Sequence, residues 1–450
     1  MRSGQSIPVL KTETLFGGAR IRRRVVVVFA FVVAAVIAGS FIRTIRNVYR
    51  GGVNDWRVYY DAGVAFRERT PLYNMDRGPF LTFKNAPIVA LGAVPISLLK
   101  PVPARIVWYL ADLSLLGFLL WTIPRLVGDS DREVPPWVGW IAMVLIWQYA
   151  LYQLRMGQTT ALWVALCAGG FLALKRARPA TAGAAFAAAA CVKLVPLVFL
   201  PYLILRRGGW RGILGFLLTL AILLLAPAGW VGWNGNLNLL TEWYRHLAAT
   251  ETPYQLYRVE NASMLAQFIR GLTPTRYQIN LMNLSVETAS RLYLISGVVT
   301  GGMLFGYLWR SLRRTHYVGH EGVHLSLLLI YLTIFNPLAW RYNFIALIVP
   351  YAVVLWSAWE DRARRRRVII LTVAAVLLHL IPMDGWMNFQ SMGARLWGTV
   401  LLAVAVLIAG GKKRESAEAE NGTDGLCSDP CNVRGMFGCA RWSCDIDVRG

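Results

Sequence analysis

Two places in this chain combine residue types that could do chemistry: an aspartate followed by a cluster of aromatic rings, and a lysine inside an apolar stretch beside a proline. NDWRVYYDAGVAF, residues 54 to 66, sets Asp55 and Asp61 among Trp56, Tyr59, Tyr60 and Phe66. Aromatic walls suit a sugar, which stacks its apolar face and turns its hydroxyls toward polar partners. A carboxylate at the mouth of such a pocket is a candidate general base. The same stretch has a purely structural reading, in which Asn54 or Asp55 caps a helix and the rings simply pack. CVKLVP, residues 191 to 196, places Lys193 next to Pro196 in the middle of an apolar run. An ionisable group at bilayer depth is costly to keep and is a functional candidate by default. At a helix break, beside backbone groups left without helical partners, a lysine suits a phosphate, with snorkelling to the interface as the plain alternative. Arg155 and Arg341 are the other cations beside spans on the same side, where lipid headgroups are their alternative partners.

The elements that must carry these residues are membrane helices. Of 450 residues 56% are hydrophobic and only 16% charged, against roughly 25% in an average soluble domain. That excludes an ordinary soluble enzyme, and 18 Trp, 18 Tyr and 18 Phe exclude disorder. Lys and Arg number 47 against 24 Asp and Glu, a net charge of +23. The basic residues stand as short clusters between apolar runs and not as a folded basic face, so they report membrane orientation and exclude nucleic acid as the partner.

Arg20 and Arg22 to Arg24 precede the apolar run 25 to 42, which predicts a retained anchor with residues 1 to 24 as a cytoplasmic basic N-terminus. Predicted spans at 290 to 309, 323 to 335, 343 to 359, 368 to 382 and 395 to 410 are separated by Arg310/Arg313/Arg314, Arg362/Arg364 to Arg367 and Lys412 to Arg414, all falling on one side. Residues 180 to 205 lie between two basic clusters, so a single span would strand one of them outside. Two halves of about 12 residues rise only about 18 Å each, short of the roughly 30 Å hydrocarbon core, which predicts a re-entrant hairpin broken at Lys193. APIVALGAVPISLL, 86 to 99, with Pro87 and Pro95, is likewise too short to span. With spans at 104 to 124, 137 to 153, 158 to 174 and 212 to 229, the fold class is an all-α polytopic membrane protein. It has about ten spans plus the broken hairpin, 10–12 transmembrane helices in all. Residues 25 to 410 form the transmembrane domain, with long external loops at 43 to 103 and 230 to 289 and both termini on the cytoplasmic side of the cell membrane.

On this map several segments resemble glycosyltransferase family 87, polyprenol-phosphate-sugar-dependent mannosyltransferases of the GT-C superfamily. NDWRVYYDAG with the later PLY resembles the family's first external loop, and MGQTTAL its Gly-Gln opening of a span. AGAAFAAAACVKLVPLVFLPYLILRR resembles its Ala/Gly-rich helix with Lys, Pro and a basic end. NASMLAQFIRGL resembles its Asn-x-Ser segment, and NPLAWRYNFIAL its Pro-x-x-Trp turn. The resemblance implies a GT-C-like fold and an inverting transfer of a hexose, mannose by the family's habit, from a polyprenyl-phosphate-sugar donor to a lipid or glycan acceptor at the outer membrane face. The donor is a substrate, and no cofactor or metal is implied. By the resemblance Asp55 is the base, Lys193 neutralises the donor phosphate, and Tyr59, Tyr60, Gln158, Asn261, Trp340 and Tyr342 line the substrates. The family's histidines after Trp are replaced here by Arg341, Tyr342 and Asn343, leaving Arg341 as a second phosphate contact.

Other features carry less. NAS at 261 to 263 matches a glycosylation sequon. His246, His316, His320, His324 and His379 show no metal spacing, and Glu242, Glu251, Glu260 and Glu287 read as solvated loop charges. The tail from 411 to 450 turns polar, with seven Asp/Glu against six Lys/Arg, and holds Cys427, Cys431, Cys439 and Cys444 without a standard zinc pattern, which predicts a disordered cytoplasmic extension. Two further readings share these features: a secondary transporter or lipid flippase, which also uses broken helices and buried cations, and a noncatalytic relative of the family.

Overall fold

Where apolar runs end in arginine, proline or glycine the chain turns, and between those corners it is helical. A computed structural model of the chain describes residues 13–50, 54–73, 82–128, 134–249, 253–275, 280–313, 320–381 and 387–411. The predicted cytoplasmic N-terminus falls only partly, and the Cys-containing tail almost wholly, outside these residues. No strand occurs among them.

The long anchor α1 (Glu13–Tyr49) leads to α2 (Trp56–Glu68) and α3 (Pro87–Ser97), then to α4 (Pro101–Val127). Helices α5 (Trp137–Leu145) and α6 (Trp147–Met156) meet at Ile146 with a 70° bend, where one straight span was expected from the sequence. Next come α7 (Thr160–Lys175), α8 (Pro179–Val192), a 3-10 turn Val195–Val198 and α9 (Phe199–Leu205). The expected external loop 230–289 is in fact largely helical. It follows α10 (Trp210–Leu225) and contains α11 (Ala228–Val231), α12 (Trp233–Ala249), α13 (Pro253–Tyr257) and α14 (Met264–Leu272). The remainder is α15 (Val286–Arg313), α16 (Glu321–Ile334), a 3-10 segment Arg341–Leu347, α17 (Ile348–Glu360), α18 (Arg362–Leu380), α19 (Met387–Ser391) and α20 (Ala394–Ala409).

Five stretches are long and apolar enough to cross a bilayer: Phe31–Tyr49, Pro101–Val127, Trp210–Val231, Val286–Arg313 and Arg341–Glu360, with the bent α5–α6 pair as a sixth. The expected count of about ten is not reached by this measure. For three of the missing spans the reason is length: α7, α16 and α20 have 16, 14 and 16 residues, and a bilayer-spanning helix needs about 20. For α18 it is the arginines at its start, Arg362 and Arg364 to Arg367. Burial sorts the long stretches. The Arg341–Glu360 window is 78% buried, against 11% for Phe31–Tyr49 and 17% each for Trp210–Val231 and Val286–Arg313. Helix α17 is therefore the axis of the main core, which α4, α7, α8, α16 and α20 complete. The outward faces of α10 and α15, with Ile222 and Val298 exposed, are apolar as lipid-facing surfaces are.

At Lys193 the chain reverses. Phe186 of α8 stacks on Phe199 of α9 at 4.6 Å, and a Cβ added at Gly212 would touch both the Leu203 side chain and the Pro179 carbonyl. The end of α9 thus returns to the start of α8, the hairpin that the two flanking basic clusters call for. Helix α10 then lies against α8 with no side chain between: a Cβ on Gly183 would collide with the Gly212 carbonyl.

Candidate active site

The turn between α6 and α7, Gly157-Gln158-Thr159-Thr160, is the hub of the candidate site. Gly157 ends α6 in the left-handed region (φ 67°), its N–H donating to the Gln153 carbonyl at 2.7 Å. A Cβ there would sit 2.6 Å from the Trp56 Cβ, so glycine satisfies both the backbone and the close approach of α2. Buried groups lock the turn from below. Gln153 Nε2 donates to the Gln158 carbonyl and, at 3.2 Å, to Asp112 Oδ1, while Arg105 Nη2 donates to the Leu154 carbonyl and, at 3.3 Å, to that of Arg155.

Asp55 opens α2 without capping it. Its side chain makes no bond to the helix N–H groups and instead accepts from Gln158 Nε2 at 2.6 Å, while Asn54 beside it donates to the Arg155 carbonyl at 3.0 Å. Burial raises the Asp55 carboxyl above its ordinary range, and the Gln158 bond pulls it partly back. Tyr59, one turn on, donates to Gln158 Oε1 at 2.8 Å and stacks on Trp108 at 5.2 Å. Burial raises its phenol, which keeps the hydroxyl a donor.

Two residues past Gln158, the same turn reaches the cation. Thr160 Oγ1 donates to Asn343 Oδ1 at 3.4 Å, and that oxygen accepts from Lys193 Nζ at 2.8 Å. Asn343 is itself fixed by donating to the Leu338 carbonyl at 2.9 Å. Lys193 is extended (φ −154°, ψ 133°), which ends α8, and its ammonium lies 5.9 Å from the centre of the Tyr342 ring. Tyr342 stacks on Tyr152 of α6 at 6.3 Å, and the Arg341 guanidinium lies over the other ring at 5.7 Å. Asp55, Gln158, Lys193 and Arg341 are all only half-buried. One partly desolvated carboxylate, two cations and a set of aromatic rings can hold a sugar phosphate and take a proton from a hydroxyl.

The chain's similarity to known proteins agrees with that chemistry. Residues 83–330, somewhat more than half of the chain, match the model of glycosyltransferase family 87. The chain belongs to glycosyltransferase family 87. With its apolar helices it is a membrane glycosyltransferase, and it acts on a sugar donor and an acceptor. No curated protein and no solved structure matches it. In this family 87 chain the matched range holds Gln158, Lys193 and Asn261, whereas Asp55 and the Trp340–Tyr342 turn lie outside it.

Other sequence-level candidates are placed elsewhere. Tyr60 turns away from the site, donating to the Leu99 carbonyl at 2.8 Å and packing edge-on against Trp56. Asp61 is buried and paired with Arg57 at 2.9 Å. Asn261 is buried and acts as a tie: its Oδ1 accepts from Ser263 and Ala339 N–H groups, and its Nδ2 donates to the Pro337 carbonyl at 3.0 Å. It thereby fixes the turn ahead of Arg341, and a side chain so enclosed is no glycan acceptor in the folded chain. Trp340 lies under Arg258 at 5.8 Å. Arg258 also pairs with Glu260 at 2.8 Å and holds that carboxyl below its ordinary range, which makes it a poor base. Among the described residues no group of three His, Cys, Asp or Glu is close enough to hold a metal.

Sequence reasoning missed Asn343, Thr160, Tyr152, Trp108, Gln153 and Arg105. Only Arg105 left a readable signal: with Asp112 it stands seven residues apart on one face of an apolar helix, where charges need a reason.

Proposed function

We propose that this family 87 enzyme transfers a hexose, mannose by its resemblance, from a polyprenyl-phosphate-sugar donor to a lipid or glycan acceptor at the outer face of the cell membrane, with inversion. Asp55 accepts the proton of the acceptor hydroxyl as that oxygen forms a bond to the anomeric carbon. The bond from the anomeric carbon to the phosphate oxygen breaks on the opposite side, and its electron pair leaves on the lipid phosphate. Lys193 and Arg341 stabilise the charge that grows there, which favours the transition state over the bound donor. Tyr59 and Gln158 orient the base, and Tyr342 with Tyr152 offers rings against the sugar.

One observation carries this reading: the Gln158–Thr160 turn bonds Asp55 through Gln158 and Lys193 through Asn343, so base and cation are referenced to a single rigid corner. A transporter would need its deep charges unspent. Here Arg105 Nη2 is tied to two backbone carbonyls and Lys193 Nζ to Asn343, which favours fixed roles for them.

The test is transfer by purified enzyme in nanodiscs with a defined polyprenyl-phosphate hexose. Asp55→Asn, which keeps the shape and the Gln158 contact, should lower kcat by about 10²–10⁴-fold with donor affinity retained. Full turnover in a folded Asp55→Asn variant would overturn the assignment of the base. Wild-type protein that binds donor without transferring it would support a noncatalytic relative instead.

A further inference from the structure

The arm of the hairpin that leads away from Lys193 ends at Leu205, and the next two residues, Arg206 and Arg207, line a cavity of about 220 Å³. Ser311 closes it from the end of α15, and His320, Glu321 and His324 from the start of α16. None of these residues belongs to the site around Asp55.

The lining is fixed and cationic. His324 is held at both ring nitrogens, Nδ1 lying 3.1 Å from the Tyr202 hydroxyl and Nε2 2.8 Å from Ser311 Oγ. His320 stacks on it at 6.4 Å, and burial lowers its imidazole to about 4, so it is neutral near pH 7. Arg206 reaches a single oxygen of Glu321 at 3.3 and 3.4 Å, a long contact, and also bonds the Tyr202 hydroxyl. Arg207 is exposed at the mouth. Two guanidinium groups against one carboxylate leave one positive charge uncompensated. The volume lies below the roughly 300–1,000 Å³ of pockets for drug-sized molecules, so a headgroup fits and a nucleotide does not. Guanidinium forks suit phosphate oxygens, and a singly charged phosphodiester balances the lining. The residues around the cavity have the pattern expected at headgroup level. Arg211 opens α10 and Arg310 and Arg313 close α15 at this end, while the faces of those helices away from it are lipid-facing.

We propose that this cavity binds the phosphate group of an anionic phospholipid from the surrounding leaflet, clamping α9 to α15 and α16 and so steadying the hairpin that presents Lys193. Phosphate chemistry is shared by a lipid headgroup and free phosphate, and the titration separates them. Full-length protein, delipidated in neutral detergent, is melted with increasing phosphatidylglycerol, phosphatidylcholine or sodium phosphate. Phosphatidylglycerol should raise Tm saturably and phosphatidylcholine should not. Arg207→Gln should weaken half-saturation by about tenfold, the loss of one charge-assisted contact. Arg211→Gln, outside the cavity on the same basic stretch, should leave it unchanged. If Arg207→Gln does not accumulate, Arg207→Lys, which keeps the charge and loses the fork, should still weaken half-saturation several-fold relative to Arg211→Gln. Equal responses of the Arg207 and Arg211 variants, or equal effects of the two lipids, would overturn the site. A rise with sodium phosphate that depends on Arg207, with none from phosphatidylglycerol, would overturn the lipid as its source.

Discussion

Asp55 is set between two opposed influences, and their signs predict the pH profile. Burial raises its carboxyl and the Gln158 amide lowers it. A general base works in its ionised form, so activity rises with pH through the pKa of Asp55. Gln158→Ala removes the lowering influence and leaves the burial, so the acid limb of kcat/KM should move to higher pH, with activity recovering at alkaline pH. A profile of unchanged midpoint and uniformly reduced height would mean that Gln158 only holds the fold. At this scale Asp55, Lys193 and Gln158 were legible because each is a polar residue at an odd place: a loop of aromatics, a helix break, a Gly-Gln corner. Asn343 was not. Its role depends on an ammonium 150 residues away in the chain, and an asparagine after Trp-Arg-Tyr carries no local mark of that partner. Tyr60 shows the converse, since adjacent tyrosines in a helix point about 100° apart and only one can face the site.

The hairpin α8–α9 and its partner α10 set where Lys193 stands, and their approach is controlled by small residues. Gly183 faces the Gly212 carbonyl and Gly215 faces the Ala180 carbonyl, each with no room for a Cβ. Gly183→Leu must push the helices apart, an overpacking penalty of typically about 1–3 kcal/mol and more where backbone has to move. Its melting temperature in detergent should fall, and turnover per folded molecule should fall with it, because α8 ends at Lys193. Gly302, with open space around its Cα on α15, supplies the comparison: Gly302→Leu should melt like wild type. Equal stability of the two variants would show that the α8–α10 contact is looser than the structure describes. The sequence announced this element through charge parity and proline, both local signals. The 70° corner between α5 and α6 was not announced, because its apolar run continues unbroken through Ile146 and the bend serves packing beneath the Gly157 turn.

For the molecule in its membrane, the 47 basic residues make a testable map, since the same clusters that fix orientation also decide which face holds Asp55. Short buried helices such as α16 blur any count of spans by length, but sidedness survives that blur because it depends on loop charge and on whether the chain reverses. Phe186 against Phe199 and Leu203 near Pro179 make α8–α9 a reversal, which predicts that Arg176 and Arg211 share a side, and the loop charges predict that Arg366 shares it. Leu281, 80% exposed just ahead of α15, is predicted to lie across the membrane from them and on the side of Asp55. In a background without the four tail cysteines, where Cys167 and Cys191 are buried, single cysteines report this directly. Leu281→Cys should react with an impermeant maleimide on intact cells, and Arg176→Cys, Arg211→Cys and Arg366→Cys only after permeabilisation. If Arg176→Cys and Arg211→Cys label from opposite sides, the stretch crosses the membrane. Every segment before it is then inverted, and Asp55 faces the cytoplasm, where a donor displayed on the outer leaflet cannot reach it.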